Sequence, residues 1–189
     1  MSAILRTVVV PPAGFRSEPV ARALWALDEQ SRKLVADTRG LTPGELAWQP
    51  APGTNTMGML LAHIAVAEAH LTAIGLEALP DSDVRAVIGI GMEEEGLPLA
   101  AGAPPSPALA GQPVGFFHEL LRRARENTRR VARELADADL VREVVRQRPD
   151  ATTRVFDVGW VLYHMLEHEA GHHAQVNQLR HLRCALAGR

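Results

Sequence analysis

The chain has 189 residues, a length suited to one domain over 1–189, and its 47% apolar and 22% charged residues match a globular chain with a sizeable core. A formal net charge of −2 argues against a nucleic-acid partner, and the single cysteine, Cys184, excludes an internal disulfide and a Cys-rich zinc ribbon. No run approaches the roughly 20 uninterrupted apolar residues of a membrane span, and Met1–Arg6 lacks the basic and apolar regions of a secretory leader. The expectation is a cytoplasmic protein with neither a nucleic-acid nor a membrane partner. The basic residues are almost all arginine, with Lys33 the exception, which reads as codon bias and not as phosphate recognition.

Ile4 to Pro12 is a short β-prone run that can form an extended arm. From about Glu18 to Arg39, Val20, Leu24, Leu27, Leu34 and Val35 recur at three-, four- and seven-residue steps. Ser17 is placed to cap this first helix, Pro19 sits in its first turn, and Gly40 stops it. After a turn-rich connection, Asn55 or Thr56 can cap a second helix running to about Leu79, before Pro80. Its inner stripe reads Leu60, Ile64, Ala67, Leu71 and Ile74.

Residues Asp81 to Pro113 contain Glu93–Glu95 and prolines at 98, 104, 105, 107 and 113. A short helix can form near 82–89, but a connection this long is expected to be a lid or a crossover between distant helices. A third helix is expected over Val114 to Ala136. Phe117, Leu120, Leu121, Ala124 and Val131 make its apolar side, and Arg122, Arg123, Arg125, Arg129, Arg130 and Arg133 its solvated one. Leu140–Val145 and Thr152–Phe156 flank Arg148-Pro149-Asp150 as a small hairpin. Asp157 then caps a long fourth helix, Val158 to Ala187. The expected fold is all-α: a four-helix bundle with a long crossover between its second and third helices and a small β-hairpin before the fourth.

Five of the eight histidines lie between 164 and 181. The stripe of Val161, Met165, Val176, Leu179 and Leu182 passes through His168 and His172, so both imidazoles are expected to face inward one turn apart. Neutral imidazoles in a core need partners, and an i,i+4 pair can place two nitrogens on one divalent ion. His164 and His172 are about 12 Å apart along the axis and cannot share an ion. The pair is therefore 164/168 or 168/172, with 168/172 favoured by its place on the stripe. A third ligand should come from a facing helix; His63, between Leu60 and Ala67, is the candidate, while His70 lies two turns further on. Taken singly, each histidine is more often a hydrogen-bonded core residue than a ligand; only the combination favours a metal. His70, His118, His173 and His181 are read as surface or structural, Cys184 as a small buried hydrophobe, and Trp25, Trp48 and Trp160 as packing.

His168-Glu169-Ala170-Gly171-His172 matches the H-E-x-x-H pattern of zinc proteases. The rest of such a site is missing: Gln175 and Gln178 stand where a metzincin has Gly and His, and no acidic residue follows Glu169. One Glu-x-x-His without a second copy also argues against a di-iron bundle. Glu169 could still accept a proton from a metal-bound water or orient a ligand.

Leu46-Ala-Trp48-Gln-Pro50, Asn55-Thr-Met-Gly58-Met-Leu-Leu-Ala-His63 and His164-x3-His168-Glu-Ala-Gly-His172-His-Ala-Gln175 together resemble the DinB/YfiT-like family of metal-binding four-helix bundles, the bacillithiol and mycothiol S-transferase-like superfamily. The usual His-Arg-Gly-Gln ending reads His172-His173-Ala174-Gln175 here. The resemblance implies His63, His168 and His172 as ligands of a divalent metal, zinc or nickel foremost, with iron or copper also compatible. It also implies a homodimer and a metal-dependent transferase that activates a low-molecular-weight thiol for attack on an electrophilic substrate. Two other readings are a metal-dependent hydrolase with Glu169 as base and a non-catalytic, metal-stabilised stress or interaction bundle.

Overall fold

The computed structural model describes residues 8–97, 105–147 and 150–187. The first residues of the proposed N-terminal arm, Pro98 and Pro104 of the connection, and Arg148-Pro149 of the hairpin turn lie outside them.

Seven α-helices and one hairpin follow in chain order among the described residues. They are α1 (Glu18–Thr38), α2 (Pro43–Leu46), α3 (Met57–Leu71), α4 (Val84–Ile88), α5 (Met92–Glu95), α6 (Val114–Ala132), β1 (Glu143–Gln147), β2 (Thr153–Asp157) and α7 (Val158–Ala187). A π-helical turn, Thr72–Leu76, prolongs α3. The expected caps are present. Ser17 Oγ accepts from Val20 N–H, Thr56 Oγ1 from Met59 N–H, and Asp157 Oδ1 from Trp160 N–H. Gly40 takes the left-handed conformation, φ 80°, just beyond α1.

Side-chain contacts fix the helix directions. Arg16 N–H donates to Arg133 O and Thr38 Oγ1 meets His118 Nε2, so α1 and α6 run antiparallel. Arg125 pairs with Glu68 and Thr128 with Thr72, so α3 and α6 run parallel. His63 lies beside His168 and Gly75 against Val161, so α3 and α7 are antiparallel. The order is up-down-down-up. Parallel neighbours need a connection the length of the bundle, and the segment holding α4 and α5 is that crossover, as the sequence predicts.

The helix α3 is buried nearly all round, since α4, α5, α6 and α7 all pack on it. Its apolar character follows from that central position. Met57–Leu76, with a mean hydropathy of 1.6, is long and apolar enough to cross a membrane, but most of it is buried inside the bundle. The sequence expectation that nothing approaches a span holds only for uninterrupted runs. Gly75, in the π-helical turn, packs directly on α7: a Cβ there would lie 2.8 Å from a methyl of Val161.

Several sequence readings need correction. The third helix stops at Ala132, and Asp137–Val141 forms a 3₁₀ turn before the hairpin. Ala67, Leu71 and Ile74 are only half-buried, because the deepest face of α3 is offset from the stripe chosen for it. Leu182 and Cys184 are exposed, since α7 runs on past the bundle core. Arg125 is buried, not solvated. A 3.6-residue pattern shows that a helix has an inner face, but long charged residues at the edge of that face can lie on either side of it.

Candidate metal centre

Three imidazoles converge between α3 and α7. The Nε2 atom of His168 lies 3.0 Å from Nε2 of His63 and 3.1 Å from Nε2 of His172. One ligand atom from each of the three lies within 4.8 Å of the others. The i,i+4 spacing on α7 sets His168 over His172, and the antiparallel neighbour brings His63 between them. All three are half-buried, at the rim of the bundle rather than deep within it.

Hydrogen bonds fix which nitrogen faces the centre. Glu95 Oε2 is 2.9 Å from His63 Nδ1, and an ionised carboxylate can only accept, so His63 carries its proton on Nδ1. Gln175 Oε1, 2.9 Å from Nδ1 of His172, selects the same tautomer there. Two Nε2 lone pairs therefore point at the Nε2 of His168, which can donate at most one hydrogen. A cation resolves that conflict. Tetrahedral ligation at ordinary Zn–N lengths sets neighbouring nitrogens about 3.4 Å apart, close to the separations seen here.

The electrostatics agree. Burial, then the neighbouring His172 and His63, push the His168 imidazole down to about 3. Burial likewise lowers His172, against a smaller upward pull from Gln175. Both rings are neutral near pH 7, the state a metal requires.

The structure brings together His63, His168 and His172 and leaves the other histidines outside. The His164 ring is 5.9 Å from that of His168 and stacks on Trp160 at 4.5 Å. Nδ1 of His70 bonds Ser82 instead. Buried His173 accepts from Gln30 at Nδ1 and donates from Nε2 to Asp37, tying α7 to α1. Glu169 is corrected most sharply. It is 2% exposed, turned about 100° round α7 from His168 into the core, where it accepts from Ser31 and pairs with Arg125 at 3.0 Å. It cannot serve as base for a group held by the histidines.

Sequence reasoning missed Glu95. It lies in the crossover, within a run of three glutamates that reads as solvated, yet it is 6% exposed. Glycines bracket α5, and Gly96 adopts φ 77°. These helix stops, with the apolar Leu97 next to Gly96, were the available sign that one glutamate turns inward.

A helical bundle whose second and last long helices join three imidazoles in one centre able to hold a metal ion defines the class. A family model described as the DinB superfamily matches residues 26–176. That span covers most of the chain, so the protein belongs to the DinB superfamily. No curated protein matches the chain.

Proposed function

We propose that His63, His168 and His172 hold a divalent metal, zinc or nickel foremost, and that the protein is a cytoplasmic, homodimeric thiol S-transferase. The observation that carries this reading is the convergence of three Nε2 atoms whose outer nitrogens are oriented by Glu95 and Gln175 at a half-exposed rim. Three neutral ligands leave the full charge of the ion and room for an outside ligand.

Bound there, the ion would favour thiolate over thiol at neutral pH. The chain's own residues arrange the rest. Glu95 fixes the tautomer of His63 and raises the basicity of its Nε2, and Gln175 does the same for His172 with a neutral acceptor. The α5 segment of the crossover covers His63 through Glu95, and all three imidazoles remain half-exposed. The thiolate sulfur attacks an electrophilic carbon and forms a C–S bond. The leaving group departs with the electron pair of its broken bond, and the thiol proton passes to solvent. Cys184, the chain's one cysteine, is exposed near the end of α7, so the nucleophilic sulfur must come from a cosubstrate.

Metal analysis of the purified protein, followed by conjugation assays with a thiol panel and an activated aryl halide, tests this directly. About one ion per chain and turnover abolished by chelation and by His168→Ala are expected. Full metal loading with no conjugate from any thiol would overturn the transferase reading. Under that outcome a melting temperature lowered by chelation would mark a metal-stabilised bundle instead.

A further inference from the structure

A row of rings leads away from the imidazole centre. Trp160, His164 and His168 follow at four-residue steps on α7, with centroid distances of 4.5 Å and then 5.9 Å. At the outer end of the row the guanidinium of Arg154, from β2, lies 4.5 Å from the Trp160 ring and 5.6 Å from that of Phe156. The side chain is exposed, and no carboxylate among the described residues pairs with it. Stacking holds a guanidinium flat while its N–H edge stays free to meet an anion.

The hairpin places a second cation there. Arg146 stands directly opposite Arg154 in the antiparallel register, so the two side chains share one face. Like charges at such a pair are unfavourable. Arg146 is held inward by the carbonyls of Ile74, Leu79 and Pro80 at the end of the α3 helical run, and its Nε is buried without a partner. Most other arginines on the surface of α6 are matched to glutamate or aspartate. Arg154 has no such match among the described residues, and the nearest carboxylate on the row, Glu167, lies 3.4 Å from Nδ1 of His164.

We infer that this Arg154–Trp160–His164 ledge is the recognition site for the thiol cosubstrate, and that it selects thiols carrying a carboxylate remote from sulfur. The inference rests on the thiol reading above and names the class of thiol. Eight residues of helix separate Trp160 from His168, about 12 Å. The sulfur would sit at the imidazole centre, the body of the molecule over the rings, and the carboxylate against Arg154.

The test uses mercaptooctanoate, which is long enough to span the ledge, its uncharged counterpart mercaptooctanol, and the short mercaptopropionate. Binding to the metal-loaded protein is measured by calorimetry. Mercaptooctanoate should bind about tenfold more tightly than mercaptooctanol, with no such gain for mercaptopropionate. Arg154→Ala should erase the difference and leave mercaptooctanol affinity and metal content unchanged, while Arg154→Lys should keep part of it. Equal binding of acid and alcohol by the unmodified protein overturns the ledge and leaves the thiol reading standing. A preference that survives Arg154→Ala overturns the assignment to that residue. If no thiol binds at all, the thiol reading itself fails and the ledge with it.

Discussion

Two polar clusters built on the same helices behave in opposite ways. Among the imidazoles, α3 and α7 supply His63, His168 and His172. In the core they supply Glu68 and Glu169, which meet Arg125 of α6. The Arg125 Nε is 2.7 Å from Glu68, its Nη2 is 3.0 Å from Glu169, and its Nη1 is 3.3 Å from Asp28 of α1, which Arg129 also binds. His168 and Glu169 are adjacent in sequence, and about 100° of helix separates them. That single step divides neutral donors converging at an open rim from paired charges sealed in a core. Burial alone would lower the Arg125 guanidinium, but Glu68, Glu169 and Asp28 outweigh it and hold it above its ordinary value. Burial raises the Glu169 carboxyl, with Arg125 opposing. The core cluster is closed by its own counter-charges, whereas the rim cluster has none among its ligands.

The strongest way to break the comparison is Arg125→Met. It strands two buried carboxylates and should cost about 3–5 kcal/mol of stability, read by denaturant unfolding, while metal content at saturating ion stays the same. Loss of metal without loss of stability would show the two clusters to be one unit. Glu95→Ala should do the reverse. Metal affinity, measured by chelator competition, should fall about 10–100-fold, with a smaller change in the melting of the metal-free protein than Arg125→Met produces.

The pH dependence sharpens the contrast. His168 is lowered in the folded protein, so the fold resists its protonation while the unfolded chain does not. Stability of the metal-free protein should be full above the unfolded value of roughly 6.5 and decline as pH falls from there toward about 3. Thermal melts across that window check the sign, and His168→Ala should flatten the profile. The smallest effect is expected for Gln175→Ala. Gln175 is exposed and uncharged, so metal affinity should drop by less than about tenfold.

The helices and their caps were legible because period and capping chemistry are local. Ser17, Thr56 and Asp157 act where the sequence puts them. The imidazole triad was legible because an i,i+4 pair on one helix demands a partner and His63 was the histidine placed to supply it. Arg125 was not legible. On the pattern of α6 it stands among four other arginines, and only the approach of Glu68 and Glu169 from two other helices turns it inward. Glu95 was hidden for the same reason, and so was the alignment of Arg154 with Trp160, which depends on hairpin register.

The sequence alone determined a crossover helical bundle with three histidines one face apart, because hydrophobic spacing, caps and i,i+4 geometry are properties of a segment by itself. Only the tertiary structure decided which charges are buried, which carboxylate orients His63, and how far the imidazoles stay exposed. Those depend on what stands opposite each side chain, and that is set by the packing of helices far apart in the chain.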